Sequence, residues 1–495
     1  MPPMHRPFFL VQRMIKTQPI LHPATTSLIF RFLIDAHIQC QNPRSAALCL
    51  DQMLRCGLTP PPTTFNRLLR FLLAADLLHI ASSLFGDAKN RVPLDANSFG
   101  VMMRGLCDAG LLDEASRLLD EFEAGGGPPN VVMYTTLIDR CCKRGSFAVA
   151  QRLFDRMKGL GLLPNEFTYT VMMSGCFRNG FSSAGFDLYE EMKRVGVFPN
   201  LYTYSVLISE CCKNQDLGFA FKLFDEMTEK EVLPNVVTYN TLINGFCTQG
   251  KIKDAEKLLL RMKGNGLKPS LVTYNVLIGG YCKAGKIVKA VSLMNQMKER
   301  GCSPTIITYN VLISGFSRAR DLVGAANAYR EMKDRGLTPT NVTYTILIDA
   351  FAKGNDMESA FRLYQSMERA GLQADAYTYG VLLHGLCMQG NMKDAWKLFE
   401  KMANKGLKPT SAIYDMLIYG YCRQGSSYRA LGLIREMIGN GMAPNVASYC
   451  LAIRILCKDG KWQEAEVLIN KMIMSGLQPG ECIYEELSSA KLRHR

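Results

Sequence analysis

Long apolar runs are missing from this 495-residue sequence, and so are the signatures of a disulfide or metal framework. No stretch approaches the roughly 18 consecutive apolar residues that a membrane-spanning helix requires, so we expect no membrane insertion. The 17 cysteines form no C-x-x-C pair, and no set of histidines accompanies them at the spacing of a metal site. We therefore expect a reducing compartment, cysteines that serve as small core residues, and neither a bound metal nor another cofactor.

Motifs of catalysis are also absent. The six histidines are scattered, with no H-E-x-x-H and no deaminase-type H-x-E followed by P-C-x-x-C. Segments 245–251 and 280–286 read G-x-x-x-x-G-K, but isoleucine follows each lysine where a phosphate-binding loop needs Ser or Thr to hold magnesium. Because no candidate nucleophile lies beside a base, we expect no enzymatic activity.

Acidic residues are scarce relative to basic ones. The 58 Lys and Arg outnumber the 44 Asp and Glu, which gives a formal net charge of +14 and a pI of about 9.0. This balance favours a polyanionic partner, with nucleic acid ahead of a membrane surface.

The N-terminus contains no acid at all before Asp35. Arg6, Arg13 and Lys16 alternate there with apolar and aromatic residues, a pattern typical of an organellar transit peptide. Hydroxyl residues are sparse before Thr17, which favours a mitochondrial over a plastid address. We predict that residues 1–26 are such a transit peptide, with a disordered basic tail as the alternative.

A 35-residue period dominates the rest of the chain. Segments 237–243, 272–278 and 307–313 read VTYNTLI, VTYNVLI and ITYNVLI. A fixed period of this length is typical of a solenoid, in which each unit buries its apolar face on its neighbours. Thirteen units fit, and residues 481–495 follow as a C-terminal tail. The units are 27–61, 62–95, 96–130, 131–165, 166–200, 201–235, 236–270, 271–305, 306–340, 341–375, 376–410, 411–445 and 446–480.

Each unit is predicted to contain two helices. Positions 4, 7, 8, 11 and 12 are apolar at a helical spacing, and Gly recurs at position 15, where it ends the first helix. The second helix is expected from about position 17 to position 30, before a Gly near 31 and a Pro at 34. The expected fold is all-α: a right-handed superhelical α-solenoid of 35-residue helix-turn-helix repeats.

The face of the first helix opposite this core carries positions 2, 5, 9 and 13. In most units position 2 is apolar or aromatic, position 5 is a small hydrogen-bonding residue and position 13 is basic. Bases can stack on the first, pair with the second and bring their phosphates to the third, so the face favours single-stranded nucleic acid over a merely solvated surface. The candidate stacking residues are Val132, Phe167, Tyr202, Val237, Val272, Ile307, Val342 and Tyr377. The candidate phosphate-facing residues are Lys143, Arg178, Lys213, Lys283, Arg318, Lys353, Arg423 and Lys458.

The V-T-Y-N-x-L-I block, the 35-residue length, the Gly after the first helix and the Pro at position 34 resemble the pentatricopeptide repeat family over most of the chain. The resemblance is to the P class, in which all repeats have 35 residues and no catalytic tail follows. That family binds single-stranded RNA in mitochondria and plastids, roughly one base per repeat, and positions 5 and 35 together select the base. The resemblance implies a sequence-specific RNA-binding protein of organellar transcript processing, acting in intron splicing, end stabilisation or translation.

Carried onto this chain, the family's pairs imply the target U-A-A-A-A-C-Y-Y-G, read 5′ to 3′ from the N-terminus. Gly100 with Asn130 departs from the common pattern and gives only a weak second base. The pairs that match are Asn66 with Asp95 (uracil), Thr135 with Asn165, Thr170 with Asn200 and Ser205 with Asn235 (adenine), Asn240 with Ser270 (cytosine), Asn275 with Thr305 and Asn310 with Thr340 (pyrimidine, cytosine favoured), and Thr345 with Asp375 (guanine).

A protein-binding helical-repeat scaffold without RNA readout stays open as the alternative function. The feature that discriminates against it is the restriction of both position 5 and position 35 to Asn, Thr, Ser and Asp, for which a scaffold has no stated reason. We expect a monomer that binds single-stranded organellar RNA, alone or together with other RNA-processing proteins.

Overall fold

The computed structural model describes residues 23–89, 91–92 and 94–493, and all regular secondary structure in these residues is α-helical. Most of the predicted transit peptide lies outside the described residues. Its last four residues, 23–26, belong to the first described helix, which begins at Pro23. Within the part of the chain that is described, no helix combines the length and hydropathy needed to span a membrane.

The helices of the described residues follow one another in pairs, odd-numbered first. They are α1 (Pro23–Gln39), α2 (Pro43–Arg55), α3 (Pro62–Ala74), α4 (Leu78–Lys89), α5 (Ala96–Ala109), α6 (Leu112–Ala124), α7 (Val131–Lys143), α8 (Phe147–Gly159), α9 (Glu166–Arg178), α10 (Ser182–Arg194), α11 (Leu201–Lys213), α12 (Leu217–Glu229), α13 (Val236–Thr248), α14 (Ile252–Gly264), α15 (Leu271–Lys283), α16 (Ile287–Glu299), α17 (Ile306–Arg318), α18 (Leu322–Asp334), α19 (Asn341–Lys353), α20 (Met357–Arg369), α21 (Ala376–Met388), α22 (Met392–Asn404), α23 (Ser411–Arg423), α24 (Ser427–Gly439), α25 (Val446–Lys458), α26 (Trp462–Met474) and α27 (Glu481–Arg493).

The chain forms two compact units, residues 1–234 and residues 235–495. The first contains α1–α12 and the second α13–α27. Within each unit, consecutive odd-numbered helices pack side by side, and each even-numbered helix packs on its odd-numbered partner. The prediction of an all-α fold built from solenoid-like helical repeats is confirmed.

The core of a repeat follows the predicted spacing. In α13, Tyr239, Leu242, Ile243, Phe246 and Cys247 are buried at positions 4, 7, 8, 11 and 12. Burial of one such aliphatic side chain contributes about 1.5–3 kcal/mol. Because the same positions are apolar in neighbouring helices, the stacked repeats of each compact unit share a continuous core.

Glycine at position 10 lets odd-numbered helices approach closely. A Cβ atom on Gly175 would overlap the Sγ atom of Cys142 one repeat earlier, and one on Gly280 would overlap the Sγ atom of Cys247. Burial raises the pKa of both thiols to about 12. These cysteines therefore act as small, protonated packing residues against the glycines.

The turn inside each pair needs a left-handed residue at position 15. Gly250 and Gly285 have φ values of 73° and 70°. Where glycine is absent, Gln215 and Asn355 adopt the same conformation with φ of 63°. That conformation costs a non-glycine residue about 1–2 kcal/mol. Glycine therefore recurs at position 15 because it adopts the left-handed backbone without this cost.

Two helix boundaries differ from the sequence expectation. The first helix of a repeat begins at position 1, three residues before the first position of the predicted apolar spacing; α13, for example, begins at Val236. The segment expected as a C-terminal tail forms α27, which packs on α25 and buries Ile483, Leu487 and Ala490.

Candidate nucleic-acid interface

Position 2 lies on the solvent side of the odd-numbered helices. The eight predicted stacking residues are all exposed, from 51% for Phe167 to 68% for Tyr377, although each is apolar or aromatic. Single exposed apolar residues are ordinary, whereas these recur in register on side-by-side helices and make this face a candidate binding surface. In the first unit the row is Val132, Phe167 and Tyr202, and in the second it is Val237, Val272, Ile307, Val342 and Tyr377.

The basic residues at position 13 are exposed, but they are not equivalent. Lys143 forms an ion pair with Asp139 at 2.6 Å, and Lys353 forms one with Asp349 at 2.7 Å. Lys213 lies 3.6 Å from a carboxylate oxygen of Glu210 in its own helix, and Arg423 lies over the ring of Tyr419. Within the described part of the chain, the position-13 residues with neither a carboxylate oxygen within 4 Å nor a ring contact are Arg178, Lys283, Arg318 and Lys458.

The threonines at position 5 are buried, and their hydroxyls are engaged inside the protein. Thr170 donates to the carbonyl oxygen of Glu166 at 2.7 Å, and its Oγ1 lies 2.7 Å from Oγ1 of Thr203 in the next repeat. Thr135 and Thr345 form the same two contacts. A hydroxyl has one proton and two lone pairs, so each of these threonines has one lone pair that these two contacts do not use.

The remaining position-5 residues are held differently. Oδ1 of Asn240 accepts from Oγ1 of Thr273 at 2.7 Å, and its Nδ2 lies 3.4 Å from Oγ of Ser270. Asn275 and Asn310 are partly exposed, but their Oδ1 atoms are buried with no hydrogen-bond partner among the described residues. The hydroxyl of Ser205 donates to the carbonyl oxygen of Leu201 at 2.7 Å.

Asn66 is the buried exception among the position-5 asparagines. Its Nδ2 donates to Asp95 Oδ1 at 3.4 Å, which brings the two members of this predicted pair together. Burial raises the pKa of the Asp95 carboxyl, but hydrogen bonds from Ser98 and Asn66 outweigh it and hold the pKa below its usual value. Asp95 is therefore an anion that accepts hydrogen bonds from its neighbours.

Position 35 has a structural role that sequence reasoning missed. It is the N-cap of the next odd-numbered helix: Asn200 accepts from the backbone N–H of Thr203 at 2.9 Å, and Asp375 accepts from that of Thr378 at 2.8 Å. Asn, Asp, Ser and Thr are the preferred residues at N-caps. A protein-binding scaffold would show the same restriction, so position 35 does not discriminate between the two functions. Positions 2 and 5 must then distinguish RNA binding from protein binding. The other predicted base-reading residues that cap a helix are Asp95, Asn165, Asn235, Ser270, Thr305 and Thr340.

Capping still leaves chemistry available at position 35. An Asn that caps through Oδ1 keeps the two N–H donors of Nδ2, whereas an Asp that caps through Oδ1 keeps Oδ2 as an acceptor. Asn200 and Asp375 both cap through Oδ1. The two residues therefore present opposite hydrogen-bonding character beyond the cap.

One depression in the second unit brings the three kinds of predicted residue together. A cavity of about 630 Å³ is lined by Thr345 from position 5, Tyr377 from position 2, and Arg318 and Lys353 from position 13. His384, at position 9, also lines it. Its place in the repeat predicts this location, because position 9 lies on the same helix face as positions 2, 5 and 13.

A second depression lies in the first unit. Its volume is about 550 Å³, and its walls include Gly100 from position 5, Asn130 from position 35 and Val132 from position 2. Two cations at position 9, Arg70 and Arg104, also line it. These arginines were not predicted, because the basic signal was sought at position 13 alone.

Family comparison matches most of the chain. A model described as "PPR repeat" matches residues 98–126 and 447–477. A model described as "PPR repeat family" matches residues 129–178, 171–213, 206–248, 234–280, 269–318, 304–353, 347–388, 381–412 and 409–458. The chain belongs to the pentatricopeptide repeat family.

Several curated pentatricopeptide repeat proteins of Arabidopsis thaliana are similar to parts of this chain. One is 46% identical over 108 residues, which is 22% of this chain and 19% of the relative. A mitochondrial protein is 35% identical over 80 residues, 16% of this chain and 20% of its own length. A chloroplastic protein is 30% identical over 110 residues, 22% of this chain and 14% of its own length. The alignments thus span about a fifth or less of each relative.

A solved structure shows the same fold. The crystal structure of the pentatricopeptide repeat protein PPR10 from maize aligns with a TM-score of 0.74 at 24% identity, covering 100% of this chain and 74% of PPR10. PPR10 in complex with an 18-nt psaJ RNA element aligns with a TM-score of 0.47 at 21% identity, covering 98% of this chain and 85% of that one.

Proposed function

We propose that this pentatricopeptide repeat protein binds single-stranded RNA along the exposed face of its odd-numbered helices, with about one base per repeat. The observation that carries the proposal is the row of exposed apolar and aromatic side chains at position 2, one helical turn from the polar residue at position 5 on the same face. A surface that served only solubility would not keep such a row. The proposal extends to this chain the class of ligand, RNA, that PPR10 holds in its crystal structure.

Stacking on position 2 would supply most of the affinity. Each base stacked on an aromatic or apolar side chain contributes about 1–3 kcal/mol in single-strand binders. Residues such as Phe167, Tyr202 and Tyr377 offer exposed rings for this purpose. Four or five stacked bases would therefore bring binding into about the micromolar to nanomolar range after ordering costs.

Base selection is proposed to come from positions 5 and 35. The free Nδ2 donors of Asn200 suit the N1 acceptor of adenine, and the remaining lone pair of Thr170 can accept from the adenine amino group. The free Oδ2 of Asp375 instead suits the N1–H and amino donors of guanine. This chemistry supports adenine at the Thr170 repeat and guanine at the Thr345 repeat, within the target U-A-A-A-A-C-Y-Y-G.

We place the protein in an organelle, as a P-class adaptor of transcript processing. Relatives are named mitochondrial or chloroplastic, and the acid-free N-terminus supports a mitochondrial address. By holding a segment single-stranded, such a protein would block a nuclease, release a ribosome-binding region or shape an intron for splicing.

Filter binding at two salt concentrations tests the proposal. The RNA carrying U-A-A-A-A-C-Y-Y-G should bind at least about tenfold more tightly than a scrambled copy, since each mismatch costs about 1–3 kcal/mol. If the four unpaired cations at position 13 neutralise phosphates, log affinity should fall with log salt at a slope near −3, from roughly −0.7 per contact. Equal affinity for the two RNAs would reject base reading, and no RNA binding at either salt concentration would favour the protein-binding scaffold.

A further inference from the structure

We propose that a buried hydroxyl at position 3, where it contacts position 5 of the preceding repeat, orients that base-reading side chain. Position 3 would then be a positioning site that helps determine base specificity. This inference rests on the proposed RNA-binding function and identifies a third side chain that acts on those base-reading pairs.

Position 3 is a recurring buried Ser or Thr. Thr168, Thr203, Thr273 and Thr378 are fully buried, and Ser448 is nearly so. A buried hydroxyl needs a hydrogen-bond partner, since an unpaired one costs about 1–3 kcal/mol. These side chains therefore serve a specific contact and do not simply fill space.

Four of these hydroxyls contact the N-cap residue of their own helix, and all five also contact position 5 of the preceding repeat. The distances between the two polar atoms lie between 2.6 and 2.8 Å in both units. The position-3 and position-5 partners are Thr168 and Thr135, Thr203 and Thr170, Thr273 and Asn240, Thr378 and Thr345, and Ser448 and Asp415.

Thr273 shows how the contact would select an atom for the base. Its Oγ1 accepts from the backbone N–H of Ser270 at 2.9 Å and donates to Asn240 Oδ1 at 2.7 Å. The amide of Asn240 is thereby fixed with its oxygen toward Thr273. One of its Nδ2 donors bonds to Ser270 Oγ, and the other is left for a base, which must supply an acceptor such as O2 or N3 of cytosine.

Thr308 provides a natural contrast one repeat later. Its Oγ1 accepts from the backbone N–H of Thr305 at 3.1 Å and lies 3.3 Å from Oγ1 of Thr305. It does not hold Asn275, whose Oδ1 is buried without a hydrogen-bond partner among the described residues. An amide that is not oriented in this way discriminates less between bases, which agrees with the broader pyrimidine reading of the Asn275 pair.

Thr203 plays the corresponding part for a threonine. Oγ1 of Thr203 lies 2.7 Å from Oγ1 of Thr170 and donates to Oδ1 of Asn200 at 3.1 Å, so it contacts both members of that base-reading pair. Thr170 donates its own proton to the carbonyl oxygen of Glu166. In both kinds of repeat, the position-3 hydroxyl thus helps to hold the position-5 side chain in one orientation.

The test compares Thr273→Val with Thr308→Val in the full chain. Both variants remove a buried hydroxyl from the same repeat position, and both lose the contact to an N-cap backbone N–H. Only the first loses a hydrogen bond to a position-5 side chain. Thr273→Ser restores the hydroxyl, and circular dichroism melting verifies that each variant is folded.

Affinity is measured for RNAs with C, U or A at the base assigned to Asn240. A preference of about tenfold for C in the unmodified protein should fall to about twofold in Thr273→Val. It should persist in Thr308→Val and in Thr273→Ser. That combination would support position 3 as a specificity-determining site.

Other outcomes overturn the inference. If Thr273→Val keeps the preference, or if both Val variants lose it equally, position 3 supports only the helix cap. If the unmodified protein shows no preference at any base, the proposed function fails and the inference fails with it. The base preference of the unmodified protein thus distinguishes failure of the proposed function from failure of this inference alone.

Discussion

The threonine repeats of α7 and α9 and the asparagine repeats of α13, α15 and α17 have the same helix lengths but hold position 5 differently. Thr135 and Thr170 are buried and bonded to their own helix and to the next one. Asn240, Asn275 and Asn310 are partly exposed, and only Asn240 accepts from a position-3 hydroxyl. The difference teaches that a base-reading side chain is defined by the polar network between successive repeats.

Exchanging the asparagines for threonines should produce the largest effect. Replacing Asn240, Asn275 and Asn310 together by Thr creates three mismatches on the C-Y-Y segment, a loss of about 3–9 kcal/mol from about 1–3 per base. Affinity for an RNA with adenines at those positions should change less. Titration of both RNAs measures this, and an unchanged order of affinities would show that position 5 does not read bases.

A single exchange in the opposite direction should shift one base. Thr345→Asn places an amide beside Asp375, a pair that resembles the uracil pair of Asn66 and Asp95. We expect the preference at that base to move from G toward U, by about 1–3 kcal/mol. Competition binding with the two RNAs checks this, and retention of the preference for G would count against base reading at this repeat.

Substitution of the glycine at position 10 should destabilise the threonine repeats and the asparagine repeats to a similar extent. Gly175→Ala and Gly280→Ala each drive a Cβ into the Sγ of a cysteine one repeat earlier, so each should lower the free energy of unfolding by about 1–3 kcal/mol. Gly432→Ala is the control: it lies exposed inside α24 with open space around it, and should stabilise by up to about 1 kcal/mol. Urea denaturation measures all three. Stabilisation by Gly175→Ala or Gly280→Ala would contradict the close packing.

The smallest expected effect concerns salt dependence. Lys283 has no carboxylate within 4 Å among the described residues, whereas Lys143 is paired with Asp139 at 2.6 Å. Lys283→Ala should reduce the slope of log affinity against log salt by about 0.7, and Lys143→Ala by less. Equal changes in slope for the two variants would mean that the ion pair with Asp139 does not prevent Lys143 from contacting phosphate.

The sequence predicted the fold more completely than the site. Tyr239, Leu242 and Ile243 lie in the core as their helical spacing indicated, and the position-2 residues are exposed as expected. The N-caps at position 35 and the buried hydroxyls at position 3 were missed. The cap at position 35 lies just outside the helix, and the hydroxyl at position 3 contacts a neighbouring helix. A helical wheel drawn for one helix shows neither contact.

Selection from a pool of random RNA on the full chain tests the central claim most directly. We predict enrichment of three adjacent adenines, assigned to Thr135, Thr170 and Ser205, followed directly by C-Y-Y-G, assigned to Asn240, Asn275, Asn310 and Thr345. Enrichment of the same base opposite the threonine and asparagine repeats, or of no base at all, would contradict the account.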